Sequence, residues 1–202
     1  PYEFYQYWRN IEDVKVEDRE KLVLHIDPGT AFGTGMHETT QLCIRQLRKY
    51  ITSDTRLLDV GTGSGILGIL SLMFGARHVV GTDLDICAVE AVAQNCEANG
   101  IVQGQFDLLI GNIITEKEIQ DQVGYGCYDI VVANILADVL VPLTPVIVGQ
   151  LKEGGIYITS GIIDDKEDTV VKAVEAAGLT VLEVTHQGEW VSVTARVESH
   201  CS

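Results

Sequence analysis

The feature that most constrains the fold is a regular alternation of short apolar strands with amphipathic helices. Strands are predicted at 56–60, 78–83, 106–112, 128–134 and 154–162, and helices at 38–50, 65–74, 86–100, 136–151 and 164–178. Repeated strand–helix–strand crossovers produce parallel strands with helices on both faces of the sheet. Ligands of such sheets bind at the carboxyl ends of the strands, near the switch in strand order.

The C-terminal end departs from this alternation. Residues 179–185 and 189–197 both alternate apolar with polar side chains around a short turn, which predicts an antiparallel hairpin. The chain is therefore predicted to form an α/β fold whose mostly parallel seven-stranded sheet ends in this hairpin. Within the preceding helix at 136–151, Pro142 and Pro145 are expected to cause breaks or bends.

Length and composition limit the classes of protein to which this chain can belong. Its 202 residues suffice for one α/β domain. The net charge of −15 argues against a nucleic-acid surface, which needs clustered Lys and Arg, and favours a basic partner or simply solubility. The sequence shows no membrane-spanning apolar run and no signal peptide, and its five scattered cysteines form no CxxC pair. We therefore expect a cytoplasmic protein without a metal site.

A glycine-rich turn, LLDVGTGSGILG at 57–68, joins one predicted strand to the next helix. Because Gly61, Gly63 and Gly65 lack side chains, a ligand can approach the backbone and the free N–H groups that open the helix. Residues 63–68 also satisfy GxGxxG, with an acid twenty residues after Gly63, which is the fingerprint of a dinucleotide site. A methyl-donor site, a dinucleotide site and a purely structural turn are the three interpretations.

Three features favour S-adenosylmethionine over a nicotinamide cofactor. Asp59 stands two residues before Gly61, where negative charge opposes a pyrophosphate but suits the ammonium and sulfonium groups of S-adenosylmethionine. The turn has the form GxGxG, which is commoner in methyltransferases, and the terminal hairpin belongs to the methyltransferase sheet. We therefore predict a Rossmann-like class I S-adenosylmethionine-dependent methyltransferase, with Asp59, Gly61 and Gly63 in the cofactor site.

Two further polar positions are candidates for the cofactor site. Asp83 ends the next predicted strand, and a carboxylate there suits the two ribose hydroxyls because it only accepts hydrogen bonds. The structural alternative is that Asp83 or Asp85 caps the following helix, and we assign that role, or a surface position, to Asp85. Asn112 follows the strand after that and is a candidate contact of the adenine amino group.

Asn134 is the candidate catalytic residue, because it ends the fourth strand of the alternation. In amino-group methyltransferases an amide at this position, with a following backbone carbonyl, accepts hydrogen bonds from the acceptor nitrogen and aims its lone pair at the methyl carbon. The amine must be neutral to react, so the site needs a desolvating pocket or a proton path to water. The structural alternative for Asn134 is a turn residue.

Together, DPGTAFGTGMHETT, LLDVGTGSGILGI, GTDLD and VVANILADVL resemble the bacterial methyltransferase family that modifies large-subunit ribosomal protein eleven. The resemblance runs from about residue 21 to the C-terminus, and its first block is the most family-specific. It implies methyl transfer from S-adenosylmethionine to lysine and α-amino nitrogens of that basic protein. It also implies that Thr40, Gly61, Asp83 and Asn134 bind the cofactor. Glu38 departs from the family, which usually has Pro there.

The glycine-rich loop at 31–40 is predicted to form a lid beside the reactive end of the cofactor. Phe32 is expected to pack on the cofactor or on the substrate alkyl chain, and the Thr40 hydroxyl is expected to contact the methionine part. A helix entry without ligand contact is the structural alternative. For His37 in the same loop, general base and loop-ordering residue are both open.

The resemblance also predicts the domain organisation. Residues 1–20 would be the end of a linker to an N-terminal substrate-recognition domain, and residues 21–202 the catalytic domain. The alternatives for function are an amino methyltransferase acting on another protein or a small molecule, and an inactive cofactor-binding module.

Overall fold

The computed structural model describes residues 24–26 and 37–198, together with the backbone of 2–3. Its strands are β1 (Tyr2–Glu3), β2 (His25–Ile26), β3 (Arg56–Val60), β4 (His78–Asp83), β5 (Phe106–Ile110), β6 (Tyr128–Asn134), β7 (Leu151–Ile163), β8 (Leu179–Gln187) and β9 (Trp190–Val197). Its helices are α1 (Glu38–Tyr50), α2 (Ile66–Met73), α3 (Cys87–Ala98), α4 (Lys117–Val123), α5 (Ala137–Ile147) and α6 (Glu167–Ala176).

The main sheet has seven strands in the order β5-β4-β3-β6-β7-β9-β8. The pairs from β5 to β7 are parallel, whereas β9 runs antiparallel to both of its neighbours, β7 and β8. The predicted α/β sheet and its terminal hairpin are therefore confirmed. The strand order reverses between β3 and β6, so the ends of these two strands flank the switch point where such sheets bind ligands. Separately, β1 pairs antiparallel with β2.

Helices cover both faces of the sheet. On one face, buried side chains of α1 and α2 pack against the inner strands, with Leu47, Ile69 and Val132 fully buried. On the other face, α4, α5 and α6 cover a second cluster that includes Leu140 and Val174. Burial of this much apolar surface is the main favourable contribution to folding, and it fixes where the strand ends lie.

One local prediction from the sequence, a break at the two prolines, is wrong, and one helix was missed. Pro142 and Pro145 lie inside α5, which continues through both. Leu140, Leu143 and Ile147 are fully buried on this helix, so packing outweighs the hydrogen bonds that the two prolines cannot donate. In addition, α4 was not predicted, because a seven-residue helix is too short to show a period.

Several predicted features fall outside the described residues. They include most of the proposed lid, with Phe32, and the proposed linker at 1–20. Among the helices that the described residues form, none combines the length and apolar character needed to cross a bilayer.

Candidate functional site

A pocket of about 740 Å³ opens at the carboxyl ends of the parallel strands, across the switch point. Strand ends supply much of its wall: Gly61 after β3, Asp83 in β4, Asn112 after β5, Asn134 in β6, Gly161 in β7 and Trp190 in β9. We call the ends of β3, β4 and β5 the β4 side of the pocket. The ends of β6, β7 and β9, with the start of α1, form the α1 side.

On the β4 side, the turn after β3 depends on glycine. Gly61 has φ +71°, and its N–H donates to the Thr82 carbonyl at 2.8 Å. A Cβ atom at Gly61 would lie 2.7 Å from Cγ2 of Ile135, which belongs to the opposite side of the pocket. A side chain is therefore excluded both by backbone strain and by lack of space. Gly61 lines the pocket, and its predicted contact with a ligand stays a prediction.

The Asp83 carboxylate lies on the pocket wall and is fixed by backbone donors. Its Oδ2 accepts from the Gly63 N–H at 2.8 Å, and its Oδ1 accepts from the Asp85 N–H at 2.9 Å. Each oxygen keeps acceptor capacity for a ligand hydroxyl. The Asp85 carboxylate accepts from the N–H of Cys87, the first residue of α3, at 2.9 Å. Asp85 therefore binds the backbone at the start of α3 from an exposed position, although the N-cap residue of that helix is Ile86, which makes no side-chain capping bond.

Asp59 lies beneath the glycine turn, where it is 1% exposed. Its Oδ2 accepts from the Thr62 hydroxyl at 2.7 Å and from the Gly68 N–H at 3.1 Å. Burial raises the pKa of this carboxyl to about 6, although both hydrogen bonds lower it, and the nearby charge of Asp83 raises it slightly further. In this structure Asp59 holds the turn together. Its predicted contribution to cofactor binding stays a prediction.

The far end of the β4 side is more apolar. Ile113 and Ile114 line the pocket beside Asn112. The Asn112 side-chain oxygen accepts from the Ile114 N–H at 3.0 Å, so it already holds the loop after β5. An apolar surface with one amide suits an aromatic heterocycle. The adenine contact predicted for Asn112 stays a prediction.

On the α1 side, Asn134 ends β6 and lines the pocket. Its Nδ2 donates to the hydroxyl of Thr40 at 3.2 Å. Thr40 is 2% exposed in the first turn of α1, so the structure joins two residues that were predicted separately. Close to them, glycine at position 161 leaves room for the Ile135 carbonyl, whose oxygen would lie 2.5 Å from a Cβ there.

His37 caps α1 and contacts Trp190. Its Nδ1 lies 2.9 Å from the Thr39 hydroxyl and accepts from the Thr39 N–H at 3.3 Å. Its ring meets the Trp190 ring edge to face, with centroids 4.9 Å apart and an angle of 68° between the planes. These contacts support the loop-ordering interpretation of His37. Thr39 and Trp190 both line the pocket, but neither was predicted to do so: Thr39 lies in a family-specific block without an assigned role, and no local motif marks Trp190.

The pocket has the elements of one class of protein. The strand order with β9 reversed, the glycine turn after β3 and the carboxylate at the end of β4 define the class I, Rossmann-like fold of S-adenosylmethionine-dependent methyltransferases. Within the described residues, no group of three or more His, Cys, Asp or Glu side chains is arranged to hold a metal ion.

Comparison with known proteins gives the family. The model of the family described as "Ribosomal protein L11 methyltransferase (PrmA)" matches residues 5–198, and the chain belongs to this family. It is 55% identical over 188 residues to the ribosomal protein L11 methyltransferase of Agathobacter rectalis, covering 92% of this chain and 58% of that protein. It is 53% identical over 175 residues to that of Lachnospira eligens, covering 86% and 55%. The chain thus spans little more than half of these relatives.

A solved structure agrees with the fold over almost the whole chain. The ribosomal protein L11 methylase of Lactobacillus delbrueckii subsp. bulgaricus superposes with a TM-score of 0.79 at 29% identity. The match covers 96% of this chain and 93% of the other. The family resemblance stated from the sequence is therefore confirmed.

Proposed function

We propose that this chain binds S-adenosylmethionine and transfers its methyl group to lysine and α-amino nitrogens of ribosomal protein L11. One observation carries the proposal. A fixed carboxylate, Asp83, and a fixed amide, Asn134, face the same pocket from opposite sides of the switch point. Membership of the family supports the choice of acceptor.

The β4 side would hold the cofactor. Asp83 offers two carboxylate oxygens to the ribose hydroxyls, and Gly61 and Gly63 expose backbone to the methionine part. Ile113 and Asn112 would lie against the adenine. We retain Phe32 and the Thr40 hydroxyl as predicted contacts at the reactive end, and Asp59 as a source of negative charge. S-adenosylmethionine supplies an electrophilic methyl group, so no metal is needed for the transfer itself.

The α1 side would hold the amine. The Asn134 side-chain oxygen and the Ile135 carbonyl accept its hydrogen bonds and aim its lone pair at the methyl carbon for in-line displacement. A lysine with an ordinary pKa near 10.4 is almost wholly protonated at neutral pH. Leu136, Val139 and Trp190 line this part of the pocket, and they would disfavour the charged amine and lower its pKa once the bound acceptor excludes water from them; the proton that the amine loses passes to solvent.

The remaining features are compatible with a basic protein as substrate. The net charge of −15 attracts a basic partner and opposes direct binding to nucleic acid. We propose residues 21–202 as the catalytic unit of a cytoplasmic enzyme, with 1–20 as the end of a linker. Recognition of the ribosomal protein would then depend in part on a further domain, because the relatives are much longer than this chain.

The test combines binding with mass spectrometry. Calorimetry with S-adenosylmethionine and S-adenosylhomocysteine measures cofactor binding. Intact-mass and peptide spectra of ribosomal protein L11, incubated with the chain and S-adenosylmethionine, then locate each added methyl group. We expect the mass of ribosomal protein L11 to rise by whole multiples of one methyl group, located on lysine and α-amino nitrogens. No mass increase should occur when S-adenosylhomocysteine replaces the methyl donor.

Two results would contradict the proposal. Cofactor binding without any mass gain, both in this chain and in the same chain extended to the length of its relatives, would leave a different acceptor or an inactive binding module. Added methyl groups that the peptide spectra locate only on oxygen or carbon atoms would exclude an amino methyltransferase.

A further inference from the structure

Two large aliphatic side chains are exposed at the outer edge of the α1 side of the pocket. Leu136 is 68% exposed, and Ile163 is 39% exposed. Leu136 borders the pocket, and Ile163 ends β7 in cross-strand register with Trp190, which lines the pocket. Side chains exposed in this way contribute little to the core, and an apolar surface beside a pocket is typical of a site that binds a partner.

The position of Leu136 is unfavourable for the stability of the free chain. It is the N-cap residue of α5, with φ −59° and ψ 144°. Ser, Thr, Asp and Asn are preferred at this position, because a side-chain oxygen accepts from the backbone N–H groups of the first turn. Leucine lacks such an oxygen, and here most of its surface is open to water. A contact outside the chain explains this side chain better than the fold does.

Hydrogen bonds hold the segments that carry these two side chains next to each other. Lys166 Nζ, in the turn after β7, pairs with Asp138 Oδ1, in the first turn of α5, at 3.3 Å. The Asp164 N–H donates to the Glu189 carbonyl at 2.9 Å, which ties the same turn to the hairpin. We call this surface the β7–α5 rim and define it as Leu136, Ile163, Asp164 and Asp165.

The β7–α5 rim combines aliphatic side chains with negative charge. Asp164 and Asp165 are both exposed, and the adjacent cation of Lys166 is paired with Asp138. A partner segment that carries an aliphatic side chain and a Lys or Arg complements this surface, whereas a nucleic acid or an acidic segment is repelled. The rim adjoins the α1 side, which would hold the amine, so its occupant is the acceptor.

We propose that the β7–α5 rim docks the segment of ribosomal protein L11 that flanks the methylated amine. An aliphatic side chain of that segment packs on Leu136 and Ile163, and a Lys or Arg lies near the two carboxylates. The inference rests on the proposed function for the identity of the acceptor. It goes beyond that function because it assigns residues outside the cofactor site that select the acceptor.

The first experiment measures steady-state methylation of ribosomal protein L11 by the full chain. Asp164→Asn combined with Asp165→Asn removes two charges and keeps the side-chain oxygen at position 164 that accepts from the next N–H. We expect the KM for L11 to rise about 5- to 10-fold at low ionic strength, and this difference to shrink as salt is added. Both kcat and the Kd for S-adenosylmethionine should change by less than about two-fold.

The matched control removes the same charge elsewhere. Asp54→Asn combined with Glu153→Gln neutralises two exposed acids near the amino ends of β3 and β7, at the sheet edge opposite the pocket. The KM for L11 should stay within about two-fold of wild type, because the change in net charge alone has a small effect on a docked pair.

A second pair of variants tests the aliphatic contact. Ile163→Thr keeps a β-branched strand residue and removes part of the aliphatic surface, and it should raise the KM for L11 about three-fold. Leu182→Thr is the control, since Leu182 is 40% exposed in β8 and lies outside the rim. Its KM should equal that of wild type.

Methyl spectra report the contact without turnover. The ¹³C–¹H methyl signals of Leu136 and Ile163, assigned by their loss in Leu136→Ser and Ile163→Thr, are recorded with saturating S-adenosylhomocysteine. We expect them to shift as ribosomal protein L11 is added. The methyl signals of Val102 and Leu182, which are also exposed, should keep their positions.

The possible outcomes separate this inference from the proposed function. If the wild-type chain methylates L11 but the rim variants keep the wild-type KM, or the control pair raises it equally, only the docking inference fails. Shifts of the two methyl signals that appear without L11, on concentrating the chain or extending it to the length of its relatives, would assign the rim to a second copy or to the added segment. If the wild-type chain binds the cofactor and adds no methyl group to L11, the proposed function fails and the docking inference with it.

Discussion

The two sides of the pocket are built in different ways. On the β4 side, hydrogen bonds link residues within one turn, Thr62 to Asp59 and Cys87 to Asp85, or join two neighbouring strand ends, Gly63 to Asp83. Most of these bonds involve backbone N–H groups. On the α1 side, side chains from distant segments meet, as Thr40 does with Asn134 and His37 with Trp190.

This difference determines what each side tolerates. The β4 side is held by turn geometry, so its weak points are the glycines and the carboxylates that receive backbone donors. The α1 side depends on α1 lying correctly against β6, β7 and β9, so single side chains there control the orientation of the reacting groups. We therefore expect changes on the β4 side to alter cofactor binding or stability, and changes on the α1 side to alter turnover.

The largest effect is expected for Asn134→Ala. Removing the oxygen that orients the amine should lower kcat on the order of 1,000-fold, by analogy with the loss of a preorganised polar group from a transition state. The Kd for S-adenosylmethionine should rise far less. Asn112→Ala, on the β4 side, is the matched amide control and should affect Kd more than kcat. If the Kd for S-adenosylmethionine rises in Asn134→Ala by the same factor by which kcat/KM falls, the distinction between the two sides is wrong.

The next effect concerns the pH dependence of stability. Burial raises the pKa of Asp59 in the folded state to about 6, above its ordinary value of 3.8. Its contribution to stability is therefore largest below pH 3.8, and it is lost as the pH rises through about 6. Asn at this position can keep both hydrogen bonds through its side-chain oxygen and carries no charge to bury.

Urea unfolding of wild type and Asp59→Asn at several pH values measures this effect. As the pH falls from 7 to 4, the unfolding free energy of wild type minus that of the variant should rise by about 2–3 kcal/mol. If the unfolding free energies of wild type and variant change with pH in parallel, Asp59 titrates with its ordinary pKa in the folded protein. Weaker cofactor binding by Asp59→Asn would support its predicted electrostatic role.

A smaller effect is expected for Asp83→Ala. Loss of charged hydrogen-bond acceptors should weaken S-adenosylmethionine binding roughly 10- to 30-fold, with kcat at saturation less affected. Calorimetry measures the change. Asp107→Ala removes an exposed strand carboxylate that pairs with His78 away from the pocket, and it should leave the Kd near wild type. An unchanged Kd for Asp83→Ala would exclude the ribose contact.

The smallest effect is expected for the difference in unfolding free energy between Gly61→Ala and Gly100→Ala. Both glycines have positive φ, +71° and +65°, but only the first would place its Cβ against Ile135, whereas the second meets nothing within 4 Å. Backbone strain is common to both variants, so the difference in unfolding free energy, about 1 kcal/mol, measures the close approach of the two sides. Equal destabilisation of the two variants would show that Ile135 moves aside freely.

The boundaries of β3, β4, β6 and α1 agree with those predicted from the sequence. Each of these elements has a clear hydrophobic pattern and is flanked by turn residues or a helix cap, which are short-range signals. The helix α4 lacks a period long enough to recognise, and α5 continues through two prolines because its buried face supplies more energy than the missing bonds. Local pattern thus failed where tertiary packing decides.

The same division applies to the pocket. By itself, the sequence determined the glycine turn, the positions of Asp83 and Asn134 at strand ends, and the family, because each depends on short motifs of residues a few positions apart. Only the tertiary structure placed Thr40 against Asn134 and Trp190 against His37, and only it showed Asp59 turned inward beneath the turn. These contacts arise from the packing of α1 and the hairpin on the sheet, and side chains that meet only after folding leave no local pattern in the chain.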